Sequence, residues 1–568
     1  MIEDLSAASG SMVRRSSVAV IGSGPAGVTV ALELARRGVE VLLLESGGLE
    51  EDRAHQDLTA AGEIDPGRHA PLTMTHLRQV GGTSNIWGGR SLPFDPLDFE
   101  VRDVVGGARW PVSYDEISSY VPAACRWLDC GRPVFSAREV PTMPTTMYPG
   151  LPDDQVSTST LERWSLPLSF KQSYLRDLER SRSIRLVTGL TCTEIVTDPE
   201  SSRAVALRCR NLVGGEARIE ADAFVVAAGG IESTRLLLSS TGPTGSALGD
   251  ESGHLGRWYQ AHVQGVAADI HFSRPPGASI DYVRDVDGSY VRRRFSFTEE
   301  FQRSEGLPNI VAWVDNPEVA DAEHGCGELS TVYLALTSPL GPMVAGEAQR
   351  LSITGTFIPG TPYGGAKASP ASDHLRNIVR HPVRTARFMA GFGSMRLLVR
   401  GRKAPGFMVH NEKEVYPFEY HGEQRPNRDS RIWLTDERDA VGMRRVGIDL
   451  RFTEDDIAGC LRAHEHWDAY LRANAIGHLE YLDGDPRAAI ERRLGGGFHQ
   501  VGSTRMSSSP SEGVVDGNLK VHSTDNVFVA SSSTFVTSGH ANPTLMIVAF
   551  AVRLADHLAG SVVGAGRR

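Results

Sequence analysis

The stretch Val18-Ala-Val-Ile-Gly22-Ser-Gly24-Pro-Ala-Gly27 decides the fold class. A β-branched run meets a glycine turn, and Val28, Ala31, Leu32 and Ala35 then recur at helical spacing up to Arg37. Gly38 breaks the helix, and a second apolar run, Val39-Glu-Val-Leu-Leu-Leu44, ends on Glu45. Strand, glycine turn, helix, strand and acid in this order form the dinucleotide fingerprint. Gly22 permits the tight turn, Gly24 lets backbone N–H groups approach a pyrophosphate, Gly27 lets helix pack on strand, and Glu45 can accept from a ribose hydroxyl. The expected fold class is therefore α/β with a Rossmann-like nucleotide domain. Order is expected from Ser17 onward, after a small, polar and mobile tail.

Outward from this unit, Val80-Gly-Gly-Thr-Ser-Asn-Ile-Trp-Gly-Gly89 has paired glycines at both ends with hydroxyl, amide and aromatic groups between them. Such a loop can wrap a flat ligand, and Ile86 and Trp87 call for an apolar contact. Ile184–Ile195 and Ala204–Arg210 are expected as strands. Ala223–Ala228 reads as a buried strand running into Gly229-Gly-Ile-Glu-Ser-Thr, a second strand-to-helix crossover. From about His262 to Asp485 the texture changes to alternating strands and Pro/Gly-rich loops, a second lobe. Thr453, with Asp456 three residues on, caps a helix carrying Ile457, Leu461, His464 and Leu471 on one face. Asp373–Arg402 places Arg376, Arg380, Arg384, Arg387, Arg396 and Arg400 at helix-like spacing. The alternatives there are a solvated face, a homo-oligomer contact and a membrane-surface patch.

The 568 residues exceed one ordinary core, which favours two lobes. A net charge of −10 argues against nucleic acid as a general partner. The six cysteines (Cys125, Cys130, Cys192, Cys209, Cys326, Cys460) show no CxxC or ligand-like spacing. That fits reduced structural thiols better than a disulfide framework or metal cage, and points to the cytoplasm. No signal-like N-terminus and no run of about 18 apolar residues is read, so no membrane span is expected.

The fingerprint, Gly81-Gly82-Thr83-Ser84-Asn85, Val226-Ala-Ala-Gly-Gly230, Gln424-Arg-Pro-Asn-Arg-Asp-Ser-Arg-Ile432 and a C-terminal run from Phe498-His499 to Ser538-Gly-His540-Ala-Asn542-Pro-Thr544 together resemble the glucose-methanol-choline (GMC) oxidoreductases. The resemblance spans nearly the whole chain in the family's order. It implies FAD, a discontinuous FAD-binding domain (14–98, 165–262 and 486–560) and a substrate domain with lid segments (99–164 and 263–485) built on an antiparallel sheet. The loop through Trp87 and the Gly539–Leu545 stretch look most like pyranose oxidases and bacterial glycoside 3-oxidases. Two departures stand out. Fungal pyranose oxidases carry a flavin-linked histidine where this chain has Ile86, so non-covalent FAD is expected. Ser531 stands where many members have Asp, a place where pyranose oxidases depart too.

Oxidising an alcohol requires its proton to leave as hydride departs to flavin N5, and histidine is the side chain with a near-neutral pKa. His499 matches the family's base, and Asn542 matches the second member of its His/His or His/Asn pair. By resemblance, Gly22, Ser23, Gly24, Gly27 and Glu45 hold the ADP half. Cys192 lies near the adenine, while Thr83, Asn85, Trp87, Gly88, Ala228, Ser532, Asn542, Pro543 and Thr544 complete the cofactor site. His540 and Gln500 are candidate substrate contacts, His540 being divided evenly between pocket lining and loop packing. A helix entered at Pro543-Thr544 would direct its N-terminus at the flavin pyrimidine. Phe357–Ala371 reads as a lid over a polar ligand. The implied activity is oxidation of a secondary ring alcohol of a sugar or glycoside to a keto-sugar, with O₂ or another acceptor. The alternatives are a dehydrogenase using a quinone or protein, a non-sugar alcohol substrate, and an inactive flavin-binding protein.

Overall fold

The structure, a computed structural model, describes residues 1–565 except 166–167, 346–349, 352, 356–357, 360, 362–367 and 398–400. Its first layer is an eight-stranded sheet. Ser11–Ile21 lies at the centre between Val41–Leu44 and Glu216–Val226, all three parallel. Ile184–Thr188 and Ile2–Asp4 extend one side, Ala204–Arg210 and Thr191–Thr197 the other, and Val527–Val529 also pairs with Glu216–Val226. Val18, Ala19 and Val20 are fully buried because helices cover both faces of a parallel sheet. The helix Thr544–Ala565 packs against Pro25–Arg36 and Val121–Leu128. Its Thr544–Ser561 part is apolar and long enough to cross a membrane, against the sequence expectation, yet 61% of it is buried within the protein.

The second layer is a six-stranded sheet in the order Gly477–Tyr481, His262–Phe272, Val415–Glu423, Ile310–Val314, Phe295–Phe297, Val156–Ser157. Its pairings are antiparallel, as the resemblance implies. Tyr416, Phe418 and Tyr420 alternate toward a core shared with the helix Glu454–Ala473. That helix begins with the expected capping box of Thr453 and Asp456, and His464 is packed inside it with Nδ1 2.8 Å from the Cys460 carbonyl.

Three sequence expectations change. The N-terminal tail is ordered: Ile2–Asp4 is an edge strand on Ile184–Thr188, and the next strand starts at Ser11. Residues 99–130 belong with the nucleotide lobe, because Val105, Ile117, Val121, Ala124 and Leu128 enter the core that holds the Thr544–Ala565 helix. Strands Arg431–Arg438 and Arg444–Asp449 pair with each other and, through the latter, with Glu63–Ile64. Their apolar face meets Ile231 and Tyr259 of the nucleotide lobe.

Candidate active site

A cavity of about 1210 Å³ runs along the carboxyl ends of the parallel strands. Gly22, Ser23, Gly24, Glu45, Cys192, Ala228, Thr83, Asn85, Trp87, Gly88, Ser532, Pro543 and Thr544 all line it, with His499, Asn542 and Gln500. The dinucleotide turn has the properties assigned to it. Gly22 has φ +97°, and a Cβ on Gly27 would stand 1.8 Å from the Gly22 carbonyl oxygen. The helix Pro25–Arg36 starts without any side-chain cap, which leaves its first N–H groups for an anion. Glu45 Oε2 accepts from the Ser23 backbone N–H (3.1 Å) and hydroxyl (2.6 Å), and Oε1 accepts from Gly47 N (2.9 Å). The acid therefore braces the turn as well as facing the cavity.

The 80–89 loop is fastened to this turn. Gly81 N–H donates to the Ser23 carbonyl at 3.0 Å, and Gly82 approaches so closely that a Cβ would meet Gly24 Cα at 3.0 Å. Asn85 is a clamp within the loop: its Nδ2 donates to Val80 O at 2.9 Å and its Oδ1 accepts from Ser169. Trp87 Nε1 donates to Leu168 O at 2.9 Å, leaving its ring at the cavity wall beside Ile86. Gln500 also has a bracing part, with Oε1 2.9 Å from His76 Nε2 and 3.3 Å from Ile231 N.

His499 and Asn542 are brought together from 43 residues apart, with Asn542 Nδ2 2.9 Å from His499 Nε2. The Asn542 Oδ1 is buried and accepts from no donor among the described residues. On its other side His499 Nδ1 lies 3.0 Å from Nδ1 of His262. His262 stacks on His421 (centroids 4.2 Å apart), and His421 Nδ1 donates to the His540 carbonyl at 2.7 Å. Burial first, and then the Arg90 charge, pushes the His499 imidazole down to about 4. Burial likewise drives His262 and His421 well below the usual histidine value. The nitrogens of all three come within 4.8 Å of one another, but the near-parallel rings of His262 and His421 aim their in-plane lone pairs side by side, a poor geometry for one ion.

His540 does not line the cavity. Its Nε2 lies 2.8 Å from Asp95 Oδ2 and its Nδ1 3.1 Å from an Arg294 nitrogen, so loop packing is where the structure places it. Burial alone would raise the Asp95 carboxyl, but His540 and Arg294 outweigh it and hold it at about 2.

The remaining wall was not foreseen. Arg90 lies over the Trp313 ring at 3.8 Å, and its Nε is 2.5 Å from Glu162 Oε2. Arg292 holds the other oxygen of Glu162 at 2.6 Å. Trp313 Nε1 donates to Glu419 Oε2 at 2.9 Å; burial, and then neighbouring Asp315, drives the Glu419 carboxyl well above its usual range. Trp164 and Tyr282 complete this side. One signal was available: Glu419, His421 and Glu423 alternate with Tyr416, Phe418 and Tyr420, so the strand buries polar groups on the face opposite the core.

The GMC oxidoreductase family matches residues 163–264 and 426–551, and an FAD binding domain matches residues 15–81. The chain belongs to the GMC oxidoreductase family. FAD is its cofactor, and the uncapped helix, the glycine approaches and the open Asn542 acceptor fit that molecule. This GMC chain is 25% identical to the paromamine 6'-oxidase of Streptomyces fradiae, over 96% of its own length and 92% of that protein's. It is also 25% identical to the 6'''-hydroxyparomomycin C oxidase of Streptomyces lividus, covering 95% and 92%. The formate oxidase of Aspergillus oryzae superimposes with a TM-score of 0.55 at 15% identity, covering 98% of this chain and 99% of that one. That likeness establishes the GMC fold.

Proposed function

We propose that this GMC enzyme oxidises a secondary ring alcohol of a sugar or glycoside to the ketone, with O₂ as electron acceptor. The observation that carries it is the His499/Asn542 pair, 2.9 Å apart at the wall of the FAD cavity. FAD, when bound, supplies the hydride acceptor. A substrate hydroxyl entering between the pair accepts from Asn542 Nδ2 and donates to His499 Nε2. The O–H proton passes to His499, and the C–H electron pair departs as hydride, so the carbon is oxidised by two electrons. Negative charge growing on the oxygen is met by the Asn542 amide and the nearby Arg90 guanidinium. Aromatic faces at Trp164, Tyr282 and Trp313, interleaved with Arg90, Arg292, Asp315 and Glu419, suit the C–H faces and hydroxyls of a pyranose.

The segment taken as a lid, 357–371, lies largely outside the described residues. Ile86, a cavity residue without a nucleophile, supports non-covalent FAD, and six free, buried cysteines support a reducing compartment such as the cytoplasm. A second reading, oxidation of an exocyclic hydroxyl on an amino sugar, is favoured by the names of the two Streptomyces relatives and by the acidic Asp315 and Glu419 at the wall. A 2-methyl-1,2-propanediol dehydrogenase, 22% identical, keeps a non-oxygen acceptor and a non-sugar alcohol in the comparison. Anaerobic flavin bleaching with free sugars, glycosides, amino sugars and diols, followed by product identification and by O₂ against quinone turnover, separates these. His499→Ala is expected to slow bleaching by about two to four powers of ten while FAD stays bound. Unchanged bleaching in that variant would rule out His499 as the base.

A further inference from the structure

We infer that His262 is a positioning residue that holds His499 in the tautomer able to accept a proton, an inference resting on the alcohol-oxidation reading above. The geometry is a chain of single donors. Asn542 offers its amide N–H to His499 Nε2 at 2.9 Å, so Nε2 carries a lone pair. A neutral imidazole then has its proton on Nδ1, and that N–H points at His262 Nδ1, 3.0 Å away. His262 can receive it only if its own proton is on Nε2; that nitrogen makes no well-aligned hydrogen bond among the described residues, while the Ser538 backbone favours a proton on this ring.

His262 is itself immobilised. It begins the strand His262–Phe272, whose register places it opposite Glu423, with Gln264 opposite His421. His262 and His421 are thus diagonal neighbours on one face of two adjacent antiparallel strands, and their rings stack. His421 is pinned in turn through Nδ1 to the His540 carbonyl. His499 meets both rings edge-on, at 88° and 83°. Two strands of the substrate lobe therefore set the orientation of a side chain supplied by the other lobe.

The partner of His499 is a neutral ring where a carboxylate often orients a catalytic histidine. The titratable and charged groups that act on His262 are His421 from the adjacent strand, His499 and His540 from the C-terminal run, and Arg90; Glu423, opposite it in the strand pair, is held by both guanidinium nitrogens of Arg102. A neutral acceptor fixes the tautomer without adding the anionic attraction that would make His499 a stronger base. Once His499 has taken the substrate proton, its Nδ1–H bond to His262 becomes charge-assisted and strengthens.

The test uses FAD-loaded enzyme and three variants. His262→Phe keeps a stacking ring and removes the acceptor, His262→Asn places an amide oxygen near the lost Nδ1, and His262→Asp adds a charge. Rapid-mixing flavin reduction should slow about ten- to a hundredfold in His262→Phe, mainly in the limiting rate rather than in substrate affinity. In His262→Asn it should recover to within about threefold of the parent, and in His262→Asp the acidic limb of the pH profile should move upward. Reduction in His262→Phe at the parent rate, or His262→Asn as slow as His262→Phe, overturns the inference. An independent readout is ¹⁵N NMR of histidine-labelled, substrate-free holoenzyme, with the His499 signal assigned from its loss in a His499 variant. Nε2 of His499 should be unprotonated in the parent and the tautomers mixed in His262→Phe; an unchanged tautomer overturns it. Failure of every alcohol to bleach the parent flavin would count against the proposed function alone, and the NMR result would still decide the role of His262.

Discussion

The depressed basicity of His499 makes acidification the most informative perturbation. Burial and Arg90 bring its imidazole to about 4, against 6.5 for a free side chain. The working base is the neutral ring. At pH 5 a group titrating at about 4 is roughly 90% neutral, whereas one titrating at 6.5 is only about 3% neutral, a difference of roughly thirtyfold in competent enzyme. The limiting rate of anaerobic flavin reduction should therefore stay nearly level from pH 8 to pH 5 and reach half its plateau near pH 4. Glu419 is driven upward by burial and Asp315, away from the acidic limb assigned to His499. Stopped-flow absorbance of the flavin measures the rate, with FAD retention checked at each pH. A tenfold fall per pH unit beginning near 6.5 would refute the buried-base reasoning, because it would mean that water or a counter-charge restores His499 to ordinary basicity.

Two other perturbations test the scaffold. Gly27→Ala places a Cβ 1.8 Å from the Gly22 carbonyl oxygen, with Ala227 Cβ 3.4 Å away on another side. The turn or the start of the helix must shift; overpacking of this kind costs about 1–3 kcal/mol, so FAD affinity in a fluorescence titration should fall by roughly five- to 150-fold. Parent-like affinity and melting temperature would show that Gly27 is not a close-approach position. Acid stability follows from His69 and His464, both fully buried and both lowered to about 4 chiefly by burial. Their folded-state values lie below the unfolded 6.5, so the unfolded chain takes up protons first and stability is lost as pH falls through 6.5 toward 4. Each should cost about 2 kcal/mol between pH 6.5 and pH 5. Denaturant unfolding of holoenzyme at those two pH values measures the loss, and equal stability at both would refute it.

The nucleotide turn was legible because everything that defines it lies between Val18 and Glu45, where spacing maps directly onto local geometry. The cap at Thr453 is legible for the same reason. His499 and Asn542 lie further apart but were reachable through motif resemblance. His262 was not, since it meets His499 across 237 residues and only the register of Val415–Glu423 beside it reveals which face its ring takes. Ile2–Asp4 escaped detection because a three-residue edge strand has too few positions to show a period, its pairing being supplied by Ile184–Thr188.

These differences bear on how the two lobes share the chemistry. The nucleotide lobe provides the cofactor cradle, His499 and Asn542, all on segments that its own sheet and the 80–89 loop hold in place. The substrate lobe provides the neutral pair His262 and His421 and the wall around Trp313, Arg292 and Glu419. Removing the buried acceptor at His262 would leave the His499 Nδ1–H without its partner, a loss felt at the base although no contact with substrate has changed. Precision at the proton-transferring nitrogen thus depends on strand register in one lobe being matched to the C-terminal run of the other. A substitution that shifted Val415–Glu423 by one residue would turn His421 toward the Trp467 core and remove the ring on which His262 rests.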